Sequence, residues 1–483
     1  MSKPQKKVLF DLLYPLVVDG VEKVKVVVGN NKLKNYSYTP YYFNYPIVTY
    51  WPNGMPNFST TFFSESSSPI EYENFFESQN EKTPSIVLEE LINYKEVFSY
   101  LYENEKYQMV YRYPDETNEE KSDLNLLEIT INNHIKGLVS RSLHHWGEEV
   151  ELTKEKFSEI YMPFENSIYL DNLSVSFYIP ILFLKFDFDS FEINKNLFIE
   201  KLDEKMQLSR NGINSFIKNI NEPLLSCATH ALVIDGYNLP NGSRFENSRI
   251  LKNPNSYPLE IINDFFNALR MVIDHPTGYA QVITKQIDWT YSYKADLINL
   301  SGGLIDAFPH EFKENYWLRP SIPSISMEEL RSIIAIYNGL KEKGNKKIQL
   351  ACKRLESCYL RKDERDIIID AVIGLESLLS DSEKGEITHK LSMRIAFLLQ
   401  LSSLNQSKLE IFINMKHIYS FRSLIVHGDL KWEKKRKIEL ESLGSILTAD
   451  LAVMYLKECI VVILQNKEYT DAKMIDMKMI LSN

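Results

Sequence analysis

Ile418-Tyr419-Ser420-Phe421-Arg422-Ser423-Leu424-Ile425-Val426-His427-Gly428-Asp429 is the stretch on which the reading of this chain turns. Counted backwards from Arg422, the positions Ile418, Met415 and Ile411 recur at helical spacing, and Ile425 continues the stripe. The segment is therefore expected to be an amphipathic helix. Arg422 stands where a leucine would be expected, and a charge on an apolar stripe is costly unless it is paired or solvated in a cleft. Gly428 supplies the left-handed position at which helices commonly stop. His427, at the helix C-terminus, reads as a capping cation favoured by the macrodipole, or as an exposed imidazole able to give and take protons. It lies about 140° round an ideal helix from Arg422, so the two need not meet within one chain.

Working outward, everything after Pro320 and Pro323 reads as helix, opened by a capping box in which Glu329 follows Ser326 by three. The expected helices cover residues 327–341, 345–361, 364–380, 386–400, 407–427 and 437–465, an all-α bundle over residues 323–483. Two more charges fall on apolar stripes, Glu376 beside Ile369, Val372 and Leu379, and Arg394 beside Ile387, Leu391 and Leu398. They read as a buried ion pair holding the bundle in register, which would leave Arg422 as the charge in excess. Lys431, Trp432, Lys434, Lys435 and Arg436 follow the helix directly. Such a loop is either a solvated connection or a single-stranded RNA groove, where cations meet phosphates and an indole stacks on bases. An arginine and a histidine without a cluster of metal ligands suit ribonuclease chemistry in which the RNA 2′-OH is the nucleophile.

The spacing from Arg422 to His427 resembles the RX4–6H signature of HEPN domains, in particular their ApeA-like branch. That branch is similar to this chain also in Asp370-Ala371-Val372-Ile373-Gly374-Leu375-Glu376-Ser377-Leu378-Leu379 and in Ile387-Thr388-His389-Lys390-Leu391-Ser392-Met393-Arg394-Ile395-Ala396-Phe397-Leu398-Leu399. The likeness covers about residues 327–470. It implies a metal-independent endoribonuclease without cofactor, in which two chains pair through the bundle as a homodimer. Arg422 of one chain would then work with His427 of the other, with Glu376 and Arg394 in support. Many HEPN nucleases carry Asn, Asp or His directly after the arginine, whereas this chain has Ser423, whose hydroxyl can still hydrogen-bond a phosphate. The resemblance further implies a toxin in prokaryotic anti-phage or abortive-infection defence. The N-terminal part would serve as sensor or restraint, open to a phage-derived trigger. Some HEPN domains are non-catalytic, so an RNA- or protein-binding dimerisation module is the alternative.

The remaining residues point to an α+β multidomain chain. Residues 1–195 read as a β-rich or mixed domain, with strands at Val24–Val28 and from Tyr36 to Tyr50, and 196–322 as an α+β segment, either separate from it or part of the same domain. Tyr41, Tyr42, Tyr45, Tyr50 and Trp51 form either cross-strand aromatic packing or a sticky ligand surface. A helix is expected from Ser85 to Tyr102, an acidic loop from Asp115 to Asp123, and an alternating strand from Ser174 to Ile193 with Asp187 and Asp189 on its solvent face. A further helix is expected over Leu259 to Val272, between strands at Ala231–Ile234 and Ala280–Ile283, with a turn at 238–242. His134, His144 and His145 lack zinc-ligand spacing, and Ser301-Gly302-Gly303 reads as a turn without a phosphate-loop pattern.

The net charge is −10 over 483 residues, which excludes a polycation. Residues 327–483 nonetheless hold 25 Lys+Arg against 22 Asp+Glu, so an anionic partner is expected to meet this part. The four scattered cysteines fit reduced thiols and a cytoplasmic location. The apolar run from Val8 to Val18 is interrupted by Asp11 and lacks a cleavage site. Asp450, Lys457 and Glu458 mark the apolar segment 446–464 as an amphipathic helix rather than a membrane span.

Overall fold

The first element overturns a sequence expectation. Helix α1 (Lys7–Lys34) occupies the region read as strands and loops. Leu9, Leu13, Leu16, Val17, Val21, Val24 and Val28 recur every three or four residues and are buried, whereas Val26 is 61% exposed. A strand would bury Val24, Val26 and Val28 together. The β-branched run favours a strand locally, but packing of the 3.6-residue stripe prevails. The signal-like run Val8–Val18 is the first half of this core helix.

The computed structural model describes residues 7–34, 46–60, 70–76, 85–111, 122–213, 220–381, 387–440 and 444–481. The proposed strand residues Tyr36 to Tyr45 and most of the acidic loop, 115–121, lie outside them. The chain divides into two compact units. The first comprises Met1–Pro180, Asp189–Tyr257 and Gln281–Ile305, and the second Ile181–Phe188, Pro258–Ala280 and Asp306–Asn483. The linear division at 195 falls inside an antiparallel hairpin, where Ser190 pairs with Glu200.

The first unit is mixed, carrying the main sheet together with several helices. Besides α1 it holds α2 (Tyr94–Glu103), α3 (Glu105–Tyr111), α4 (Ser122–Trp146), α5 (Lys154–Tyr169), α6 (Glu204–Asn211), α7 (Glu222–Ser226) and α8 (Arg244–Lys252). The helix expected from Ser85 starts late, because Leu88–Glu90 is a 3₁₀ turn and Asn93 adopts a left-handed conformation before α2. Strands β1 (Pro46–Tyr50) and β2 (Pro56–Thr60) form a hairpin. A six-stranded sheet has the order β11 (Ser301–Ala307), β8 (Tyr279–Gln286), β3 (Asn172–Pro180), β7 (His230–Pro240), β6 (Leu197–Lys201), β5 (Ser190–Asn194). The short β9 (Tyr293–Lys294) and β10 (Leu297–Ile298) pair alongside.

Three further expectations need revision. The alternating strand stops at Pro180. Ile181, Leu182, Phe183 and Leu184 are all buried, and Phe183 has a left-handed φ of 55°, so the two-residue period is lost. Asp187 and Asp189 are exposed as expected, one accepting from Ser324 and the other paired with Lys201 at 2.8 Å. The expected turn at 238–242 begins late, since β7 runs on to Pro240 with Asn238 opposite Ser174. Gly302 and Gly303 lie within β11 rather than in a turn. A Cβ on Gly302 would meet the Val282 carbonyl oxygen at 2.3 Å, so glycine is required by close strand approach.

The second unit is the expected helical bundle, and the chain as a whole is α+β. α9 (Leu259–Val272) has the expected bounds. Then come α10 (Met327–Lys343), α11 (Lys346–Leu360), α12 (Glu364–Leu379), α13 (Ile387–Leu398), α14 (Lys408–Val426), α15 (Thr448–Gln465) and α16 (Ala472–Leu481). Short β4 (Lys185–Phe186) pairs in parallel with β12 (Ser324–Ile325). The capping box forms at α10, with Ser326 Oγ accepting from the Glu329 amide and Glu329 accepting from the Ser326 amide. α15 is the hub, packed against α10, α11, α12, α13 and α14. The expected helix 437–465 is shorter, because Lys437–Leu440 (β13) and Gly444–Leu447 (β14) form a hairpin. Among the described residues no helix is long and apolar enough to cross a membrane.

Gly302→Ala is expected to lower the stability of the first unit by roughly 3 kcal/mol, combining a disallowed φ of 145° with a backbone clash. Urea unfolding followed by tyrosine and tryptophan fluorescence checks it.

Candidate functional site

α14 presents the Arg422/His427 element. Ile411, Met415 and Ile418 are fully buried, so the apolar stripe is real, and Arg422 sits half-buried beside it. Among the described residues its Nε is sealed from water without a hydrogen-bond partner, and the guanidinium makes no ion pair. A buried unsatisfied N–H costs about 1–3 kcal/mol, so this group is poised for an acceptor.

The helix ends as a Schellman turn. Gly428 has φ 68°, its amide donates to Ile425, and the Asp429 amide reaches back to Leu424 at 2.9 Å. His427 is the exposed C-cap residue. Asp429 then caps a 3₁₀ turn, Leu430–Lys435, through the Lys431 amide. That turn folds back, setting the Trp432 ring 6.2 Å from Phe421 and the Lys435 ammonium 2.6 Å from Ser420 Oγ.

The two supporting charges do not pair with each other. Arg394, 1% exposed, donates to Asp476, to Asp381 and to the Leu379 carbonyl at 2.5–2.8 Å. The hydrogen bonds to Asp476 hold its guanidinium in the charged form against desolvation. The expected Glu376–Arg394 pair is therefore replaced. An arginine with five N–H donors is better satisfied by two carboxylates and a carbonyl than by one glutamate. Glu376, half-buried, instead faces Tyr419. Burial first, and then the Glu376 charge, push the Tyr419 phenol well above its ordinary value, while Arg422 draws it down. Among the described residues Glu376 is the carboxylate nearest in effect to the Tyr419 hydroxyl, which falls short of full hydrogen-bond geometry. Glu376, Tyr419 and Arg422 thus form one electrostatically linked cluster, on α12 and α14. Sequence spacing pointed to Glu376 and Arg422 but gave no sign of the tyrosine between them.

The basic stretch divides in two. Lys431 and Lys434 are exposed and unpaired among the described residues. Arg436 is held by Glu364 at 2.7 Å, Lys435 by Ser420, and Trp432 is half-buried. Ser423, next to Arg422, is exposed. A polar tie between α14 and α15 was not legible: Asn414 donates to the Tyr455 hydroxyl, which donates to Gln406.

The three histidines do not converge. His134 bonds Tyr107, His145 bonds Asp296, and the His144 ring lies 4.7 Å from that of Tyr72. Among the described residues no group of three or more His, Cys, Asp or Glu could hold a metal ion. Comparison with family models, with curated proteins and with solved structures finds no match.

Two outcomes follow from these contacts. Arg394→Ala leaves two carboxylates facing a void and is expected to cost about 3 kcal/mol, whereas Glu376→Gln is expected to cost under about 1 kcal/mol; denaturant midpoints of the two variants compare them. Burial pushes the His134 imidazole down from 6.5 to about 3, so the folded chain keeps it neutral. Its contribution to stability is full above pH 6.5 and is lost as pH falls toward 3. Midpoints measured at pH 7 and pH 5 are expected to differ less in His134→Gln than in the wild type.

Proposed function

We propose that the bundle is a metal-independent RNA endonuclease of the HEPN type, acting in prokaryotic anti-phage defence. The observation that carries this is the half-buried guanidinium of Arg422, with a sealed and unsatisfied Nε, on the same helix end as the exposed imidazole of His427. Arg422 would clamp the scissile phosphate and stabilise the charge that grows on it, since donors in a partly desolvated site act most strongly on developing charge. His427 would take the proton of the RNA 2′-OH as that oxygen attacks the adjacent phosphorus. The bond to the 5′ oxygen breaks as that oxygen takes a proton from water, leaving a 2′,3′-cyclic phosphate and a 5′-hydroxyl, and His427 later returns its proton to solvent. Glu376 and Tyr419 keep Arg422 in place through their charge and bulk, and Lys431 and Lys434 are the cations free to hold the RNA backbone.

The geometry favours a site shared by two chains. An ideal helix separates Arg422 and His427 by about 140°, and His427 falls on the same face as Leu409 and Ile413. These two are 67% and 54% exposed. The same apolar face supports a second reading, a dimerisation module without catalysis. Purified wild-type chain that binds RNA but never cuts it would favour that reading.

His427→Ala and Arg422→Ala are each expected to lower RNA cleavage by about 10²–10⁴-fold in the presence of EDTA, with the fold intact. Gel analysis of a labelled RNA, with the ends identified by phosphatase sensitivity, tests this. Unchanged cleavage by either variant, or activity that requires a divalent metal, would sink the assignment.

A further inference from the structure

The first unit contains a cleft of about 430 Å³ that the nuclease reading does not use. It lies wholly within that unit, between α4, α5, the start of α8 and residues 290–293. Two guanidinium groups line it. Arg141 is fixed by the Ile160 carbonyl, lies 3.5 Å from Asp296 and stacks 3.3 Å above the Tyr293 ring. Arg244 lies over the Tyr291 ring at 5.6 Å and has no ion-pair partner among the described residues. It also occupies the first position of α8, the helix end at which the macrodipole opposes a cation. Among the described residues that line it, Glu73 is the only carboxylate. The positive field reaches inward, because Arg244 adds to the desolvation that keeps His134 neutral.

The walls are flat and apolar as well as cationic. Tyr291, Tyr293 and Phe164 supply rings, and Leu126 and Ile129 give a rim that is 40% and 53% exposed. Gly137 widens the cleft from the interior of α4. Glycine is a poor helix residue, yet a Cβ there would meet nothing closer than Glu73 Oε1 at 3.8 Å. Packing therefore does not demand the glycine, and a larger side chain at this lining position would take up space in the cleft.

We propose that this cleft binds a nucleoside phosphate, its phosphate held by Arg244 and Arg141 and its base laid against the tyrosine rings. Guanidinium groups match phosphate oxygens in pairs, and aromatic faces accept any base. Volumes of this size are typical of small-ligand sites.

Calorimetric titration of the full chain with the 5′-monophosphates of adenosine, guanosine, cytidine and uridine tests the assignment, with adenosine and inorganic phosphate as the separate halves. At least one nucleotide is expected to bind saturably, and each half at least about tenfold more weakly. Arg244→Gln is expected to weaken binding by about tenfold or more. Gly137→Leu is expected to abolish it while the melting temperature stays at or above that of the wild type, which separates a filled cleft from a damaged fold. Binding by no nucleotide, equal binding by phosphate alone, or undiminished binding in both variants overturns the proposal. Loss of binding in Arg422→Ala instead would place the nucleotide on the other unit and overturn it too.

Discussion

A guanidinium taken out of water has to find acceptors for its N–H groups, and Arg394 finds them in three places at once. The Leu379 carbonyl comes from the last turn of α12, Asp381 from the segment that follows, and Asp476 from α16. One side chain on α13 therefore fixes the end of α12 and the docking of α16. The candidate site depends on this arrangement. Because Asp381 and Asp476 satisfy Arg394, Glu376 is left to face Tyr419 and Arg422 on α14. Had Glu376 been drawn to Arg394, Tyr419 would have lost the carboxylate beside it, and Arg422 the cluster that links it to α12.

What could be read in the sequence was local. The capping box at Ser326, the bounds of α9 and the left-handed Gly428 each follow from a few neighbouring residues, and each appears as expected. Failures arose where distant packing decided. The valines of α1 fit a strand until the burial of Val21, Val24 and Val28 along one helical face is seen. Ile438, Leu440, Ile446 and Leu447 suit a helix or a hairpin equally, and contacts across the strands settle it, with Ile438 opposite Ile446 and the Thr448 amide and hydroxyl binding the carbonyls of Arg436 and Lys435. The choice of partner for a buried charge was the least legible feature. Helical spacing shows that Arg394 points inward, but Asp476 is 82 residues away and nothing local names it.

The same distinction separates the parts of the candidate site. Arg422 and His427 are visible from spacing alone, because an arginine on an apolar stripe and a histidine before a glycine are anomalies of pattern. Tyr419 is not visible, since a buried tyrosine beside Ile418 is ordinary. The basic loop offered four cations and an indole to a partner. In the fold, Lys435 and Arg436 are committed to Ser420 and Glu364, and the charge open to a partner is correspondingly smaller.

The turn after His427 has a consequence in entropy. The Schellman bonds fix the backbone before it, and Asp429, Trp432 and Lys435 pin the backbone after it to α14. An exposed residue at a helix end would ordinarily fray and would have to be ordered again at each encounter. Here the main chain on both sides is already held, so any group that bound there would have only the side-chain torsions of the imidazole to restrict. A surface position thereby gains the readiness usually found in a buried one.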